Sequence, residues 1–388
     1  MRPGSRLLAA VGMYHLANDG SLIVMPLLLP VIRTFVPMSY TQIGVLTATG
    51  LVVTLLMQLV VSQFAHRFSA VKVLTLGMAV LALFSVMMAF VSDYASLLVF
   101  VIGMRLGAAA YHPLGLALVA HRFGGERIDM AMGVQSSAGD IGVFAAFVTT
   151  GLLGALLGWQ SAFVLWGAIC IAAALTGLGL GVSSEERPHA GLDSEPSWSW
   201  AFERVAPLIV PLTVGGAGYN IIVNYAPLMF GDAYGLGIGE YTAIIAMWVG
   251  VGATFTLVFG KISTRFGRGR AIVTSYLLII AAGLLVWFLT PLWVAVVAMF
   301  MLGAGLFMTY PALFAYVTER AGGKRSEKAF GIVFTAQLTG GFVLSYVCGV
   351  VADIYGIKTP LLILAIIALV ALCFASYYIA RLRPRPSR

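Results

Sequence analysis

The sequence predicts an all-α membrane protein of twelve transmembrane helices, organised as two six-helix bundles related by a parallel repeat. Three observations predict it. The chain of 388 residues is 60% hydrophobic and 10% charged, whereas a soluble domain carries about 25% charged residues. So few charges cannot cover a water-facing surface of this size. The apolar residues also fall into twelve runs long enough to cross a bilayer, which takes roughly 17–25 residues each. Finally, residues of the first half recur in the second at a nearly constant offset.

The apolar runs lie at about 7–33, 40–65, 73–92, 96–121, 129–157 and 161–182, then at 205–231, 239–262, 271–290, 292–318, 328–355 and 359–380. Tight turns at Gly158 and Pro291 separate neighbouring runs. Gly- and Ala-rich spans are helices that pack closely. The runs do not alternate polar and apolar, which excludes a β-barrel. The reading divides the chain into an N-terminal bundle (1–182), a polar cytoplasmic linker (183–203, containing SSEERPHAGLDSEP) and a C-terminal bundle (204–388). Arg2 and Arg6 precede the first run as they would in a signal peptide. That run is too long for an h-region and has no convincing cleavage site, so it reads as the first span.

The formal charge of +8 follows topology rather than nucleic-acid binding. With the N-terminus cytoplasmic, the inner loops and termini hold all of the 23 Lys and Arg except Arg33, Arg105 and Lys358. This positive-inside bias puts both termini in the cytoplasm. Cys170, Cys348 and Cys373 lie within apolar runs and read as small core residues.

The repeat is specific. A shift of 198 carries Arg67 onto Arg265, Pro113 onto Pro311, Arg122 onto Arg320 and Arg127 onto Arg325. It also carries Gly133, Gly142, Gly151 and Gly158 onto Gly331, Gly340, Gly349 and Gly356. Earlier in each half a shift of 201 fits better, bringing Asn18-Asp19 onto Tyr219-Asn220. Parallel six-helix repeats mark the major facilitator architecture.

The motifs then resemble that superfamily directly. Gly260-Lys-Ile-Ser-Thr-Arg265-Phe-Gly267-Arg268-Gly-Arg270 is similar to its loop between helices two and three, with Thr264 where the acid belongs. The first-half copy is degenerate, with His66 in that place. Gly158-Trp159-Gln160 resembles the family's end of helix five. A narrower resemblance, to the fosmidomycin-resistance-type exporters, rests on His15-Leu-Ala-Asn18-Asp19, Gln42-Ile43-Gly44 and Tyr111-His112-Pro113. Those exporters have an acid after the His-Pro pair, where this chain has Leu114, so that acid's role does not carry over.

Charges inside a bilayer are costly and mark function by default. Asp19, Arg105 and Asp140 are the three. At 1.5 Å per residue, Asp19 and Asp140 lie about 18 Å, and Arg105 about 24 Å, from the cytoplasmic ends of their helices. An Asp–Arg–Asp cluster is geometrically possible. The alternative is a fixed ion pair that staples helices without titrating. His15 shares a helix face with Asp19, four residues on, and His112 lies seven residues from Arg105. A histidine near an aspartate can titrate near neutral pH; a neutral histidine bonded to the backbone is the other reading. The expected coupling residues are Asp19, Asp140 and His112. Expected substrate contacts are His15, Asn18, Arg105, Tyr111, His112, Gln135, Tyr219, Asn220, Asn224, Tyr310 and Gln337. Arg105 suits a carboxylate or phosphonate. Trp248 reads as lipid-facing. Arg67, Arg265 and Arg268 would, by the family resemblance, form a cytoplasmic latch.

No phosphate-binding Gly-rich loop is present; Gly322-Gly323-Lys324-Arg325 lacks its leading glycine and its hydroxyl. The sequence has no paired-His metal motif and no nucleophile elbow, so neither an enzyme nor a resident cofactor or metal is expected. The expectation is a proton-coupled exporter of the inner or plasma membrane, working by alternating access and functional as a monomer, with a small anionic or amphipathic substrate. Proton-symport uptake, lipid or lipid-precursor translocation, and a non-transporting sensor or scaffold stay open.

Overall fold

The computed structural model describes residues 3–64, 67–123, 127–179, 197–320 and 327–382. Among them every regular element is helical. The helices are α1 (Pro3–Phe35), α2 (Tyr40–Phe64), α3 (Ala70–Met88), α4 (Tyr94–Ala108), α5 (Tyr111–Arg122), α6 (Arg127–Leu156), α7 (Gln160–Gly179), α8 (Trp198–Leu228), α9 (Ile238–Phe266), α10 (Arg268–Phe288), α11 (Leu292–Arg320), α12 (Glu327–Tyr355) and α13 (Thr359–Leu382). A π-helical turn, Met229–Ala233, extends α8. Twelve spans among the described residues are long and apolar enough to cross a membrane, with α4 and α5 forming one of them.

Two boundaries differ from the hydropathy reading, each for a local reason, and one expected turn is explained. The fourth run breaks at Ala109–Ala110, just before His112-Pro113. Proline removes a helix hydrogen bond and crowds the carbonyl four residues back, here that of Ala109. Its repeat counterpart Pro311 lies inside the unbroken α11. The seventh span starts at Trp198, inside the expected linker, because Ser197 caps it by accepting from the Trp200 N–H. The turn after α6 is tight because Gly158 adopts φ +89°, and its counterpart Gly356 adopts φ +95°; this left-handed region favours glycine.

The chain forms two compact units. The first holds α1, α2 from Thr49 onward, α3 to α7, and the start of α9 through Ala243. In it α1 packs against α5, α6 and α7, and α3 against α4 and α7. The α1–α6 contact is close because a side chain at Gly142 would stand 2.2 Å from the Leu16 carbonyl oxygen, and one at Gly139 would stand 2.5 Å from the His15 ring. The first turns of α9 belong here because Gly151 and Gly154 of α6 leave room for Thr242 and Ile238.

The second unit holds Ser39 and α2 as far as Ala48, then α8, the rest of α9, and α10 to α13. Here α8 packs on α11, α12 and α13, while α10 packs on α11 and α13. The start of α2 is tied in by Asp353 of α12, whose carboxylate accepts from the backbone N–H of Tyr40 (2.9 Å) and Thr41 (2.8 Å). Thr47 donates to Asn224 Oδ1 at 3.0 Å. Gly44 and Gly349 make the approach possible: a side chain at either would meet backbone oxygen, of Ser345 and of Tyr40 respectively.

A carboxylate between two imidazoles

The polar centre of the first unit is built on α1. His15, Asn18 and Asp19 share one stretch of that helix. Asp19 Oδ2 lies 3.1 Å from His15 Nε2, and Oδ1 lies 3.6 Å from His112 Nε2 on α5. Asn18 Nδ2 donates to Oδ1 at 2.9 Å. His15 is boxed in by α6, with its Nδ1 2.7 Å from the Gln135 carbonyl oxygen. The Gln135 side-chain amide donates to Tyr111 Oη at 2.8 Å, and the Tyr111 hydroxyl donates to the Val11 carbonyl at 3.2 Å. Tyr111 also stacks on His15, with ring centroids 4.6 Å apart, and His112 stands edge-on to both rings.

This network fixes where the His15 proton sits. The Gln135 amide nitrogen is 2.9 Å from Nδ1, but it has the tyrosine oxygen as acceptor. The backbone carbonyl at 2.7 Å accepts only, so Nδ1 is the donor. A neutral His15 would then turn a lone pair on Nε2 toward the Asp19 carboxylate. The 3.1 Å contact therefore needs a proton between these two groups, on Nε2 or on the carboxyl. Asp19 is three-quarters shielded, whereas the His112 side chain is 44% exposed, so His112 is the accessible side of the pair.

Arg105 and Asp140 lie within electrostatic reach of Asp19. Neither side chain makes a hydrogen bond or ion pair with any described residue. The Asp–Arg–Asp cluster of the sequence reading is therefore an Asp–His–His cluster with two unpaired charges nearby. The seven-residue spacing of Arg105 and His112 puts them on one face only of a continuous helix, and the break at Ala109–Ala110 separates them. The Arg105 side chain lies instead along α2, where a side chain at Gly50 would come within 3.2 Å of its Nε.

The second-unit candidates form no comparable centre. Asn220 Nδ2 donates to the Gly216 carbonyl, and Asn224 Nδ2 to the Asn220 carbonyl, both within α8. Gln337 Nε2 donates to the Leu212 carbonyl at 3.1 Å. Tyr310 packs on Phe314 and over Gly215. Trp248 is fully buried rather than lipid-facing, set between Tyr219 and Phe307 at 5.6 and 5.4 Å. Its Nε1 has no hydrogen-bond partner. An apolar pocket of about 610 Å³ lies between α8 and α12, lined by Trp198, Phe202, Ile209, Ile332, Val343 and several threonines. Among the latch candidates, Arg268 pairs with Glu319 at 2.8 Å and covers Tyr316, while Arg67 and Arg265 lie over Phe64 and Phe266. His66 lies outside the described residues.

Sequence reasoning missed Asp353. Asp353 did carry a signal. An acid in the last turn of a helix opposes the dipole, so it needs donors from elsewhere, and the α2 N-terminus supplies them.

These features define a polytopic membrane protein. The model of the Major Facilitator Superfamily matches residues 7–344, and the chain belongs to that family. It is 23% identical to YfnC, an uncharacterized MFS-type transporter of Bacillus subtilis, over 94% of this chain and 91% of that one. It is 25% identical to an MFS-type efflux pump of Mycolicibacterium smegmatis, over 60% of this chain and 56% of that one. A bacterial homolog of the human lysosomal transporter Spinster superposes with a TM-score of 0.80 at 16% identity, covering both chains fully, which is a likeness of fold.

Proposed function

We propose that the protein is a secondary active transporter that exports a small anionic or amphipathic compound by alternating access, in exchange for protons. The observation that carries this reading is Asp19, a carboxylate near the middle of a membrane helix, held between two imidazoles, one of them accessible. A carboxylate with two titratable partners can hold or pass a proton at low cost, whereas a structural ion pair would use a permanent cation. Protonating Asp19 removes its negative charge, which weakens its attraction for His112 and so loosens α1 from α5. Asp140 lies close enough to relay or bias that proton. Arg105, charged and unpaired, suits the substrate's anionic group, since guanidinium binds carboxylate or phosphonate in a paired geometry.

Export is favoured by the efflux pumps among the relatives and by the fosmidomycin-resistance-type motifs. The place is the cell membrane with both termini inside, from the distribution of Lys and Arg, and a monomer suffices. The apolar α8–α12 pocket favours a second reading, in which the substrate carries a hydrophobic tail, because its volume fits a drug-sized group.

The test is proton movement in liposomes containing the purified protein. A pH-sensitive dye is followed while small anions and phosphonates are added, with Asp19→Asn as control. A compound-driven signal that the variant loses supports the reading. Equal flux in wild type and variant overturns proton coupling at Asp19, and labelled-compound counterflow without a dye signal points to uncoupled exchange.

A further inference from the structure

We infer that His15, Asp19 and His112 form a binding site for a divalent first-row transition metal ion such as Zn²⁺ or Co²⁺. The donor set is two imidazole nitrogens and one carboxylate, and the three ligand atoms lie within 4.8 Å of one another. Metal–ligand bonds of about 2.0–2.1 Å put neighbouring ligands of a tetrahedral ion roughly 3.3 Å apart. His15 Nε2 and His112 Nε2 approach different oxygens of the Asp19 carboxylate, Oδ2 at 3.1 Å and Oδ1 at 3.6 Å, so each imidazole stands about one such edge from the carboxylate. Both imidazoles present Nε2, and the more exposed His112 is the ligand that would move to close the site around the ion.

The surrounding bonds point the same way. A metal-bound histidine characteristically donates its other ring N–H to a carbonyl or carboxylate, which fixes tautomer and orientation. His15 Nδ1 already does so to the Gln135 carbonyl at 2.7 Å. That tautomer leaves the Nε2 lone pair aimed at Asp19, which is unfavourable against a bare carboxylate and resolved by a cation between them. Asn18 orients the carboxylate by its 2.9 Å bond to Oδ1. Three protein ligands leave one position open, as in sites that exchange ligands rather than in closed structural ones. Mixed imidazole and carboxylate ligands select Zn²⁺, Co²⁺ or Ni²⁺ over Mg²⁺ and Ca²⁺. Arg105 acts on Asp19 and opposes a dication, which favours an anionic group on the open position.

The site can be tested without any transport. Tag-free protein in lipid nanodiscs, with no gradient, is titrated with Co²⁺ and its visible spectrum followed. The expected result is an intensified low-symmetry Co²⁺ band that saturates at one ion per chain. Zn²⁺ displaces it and Mg²⁺ does not. His112→Ala and Asp19→Asn lose the band, and Asn18→Ala weakens binding by about 10–100-fold. His112→Ala is the safer variant, because that ring is partly exposed; the elution profile and circular dichroism of each variant check folding. No saturable band in the wild type, or a band that persists in both folded ligand variants, overturns the site. Metal binding with no proton flux would leave this inference standing and reject the proposed coupling, and the converse outcome separates them equally.

Discussion

The two units place different chemistry on the same repeated positions. In the first, Asp19 and His112 face each other across α1 and α5. Their counterparts in the second are Asn220, by the shift of 201, and Tyr310, by the shift of 198. Asn220 bonds back to its own helix, and Tyr310 packs among phenylalanines. The exchange is sharper at a second pair of sites. In the first unit the large side chain is Arg105 of the fourth span, lying on Gly50 of the second. The shift of 198 carries these onto Gly303 and Trp248. There the large side chain comes from α9, and a side chain at Gly303 would meet the Trp248 backbone oxygen at 2.6 Å and its ring at 3.3 Å. The same space is filled from opposite helices, by a guanidinium in one unit and an indole in the other. A repeat therefore conserves packing volume while leaving charge free to differ, and here the ionisable groups are concentrated in one unit.

The largest expected effect breaks that asymmetry. Asp19→Asn should reduce proton-coupled flux in liposomes to the level of empty vesicles, while Asn220→Asp in the same background should fail to restore it, because the second unit contains no histidine to partner it. Recovery in the double variant would mean that the two units are interchangeable. Next in size is packing. Gly142→Val forces a side chain onto the Leu16 carbonyl, and overpacking costs about 1–3 kcal/mol or more. Its melting temperature in detergent should fall clearly, whereas Gly250→Ala, with nothing within 4 Å, should melt as wild type does. Arg105→Gln should leave the fold intact and raise the KM for anionic substrates by about tenfold, the equivalent of about 1.4 kcal/mol. A neutral substrate should be unaffected, and a uniform loss for both would make Arg105 structural.

Smaller effects concern helix ends. Asp353→Ala removes the acceptor for two N–H groups of α2 and should cost about 0.5–2 kcal/mol, read as earlier hydrogen exchange at Tyr40 and Thr41. The smallest belongs to Asp93, the cap of α4. The Ser96 backbone N–H bond holds its carboxyl below the usual carboxylate range. A folded-state value below the unfolded one contributes stability that is full above about pH 4 and is lost as pH falls through the folded value. Asp93→Ala should therefore melt slightly below wild type at neutral pH and converge with it in acid.

Hydropathy and the offset repeat make the twelve helices and the family legible without coordinates. Each rests on properties local to a segment or periodic along the chain: a helix must satisfy its own backbone in lipid, so run length alone betrays it. Asp19, His15 and His112 were legible as candidates for the same reason, since polar residues stand out against an apolar background. Their partners were not. Whether Asp19 meets Arg105 or His112 depends on the break before Pro113 and on how far α6 approaches α1 over Gly139 and Gly142. Whether Trp248 meets lipid or core depends on the absence of a side chain at Gly303, 55 residues away. The sequence by itself determined which residues are costly to place in a membrane. Only the tertiary structure decided which of them neutralise one another, because charge pairing falls off within a few ångströms and is set by helix contacts that no local pattern records.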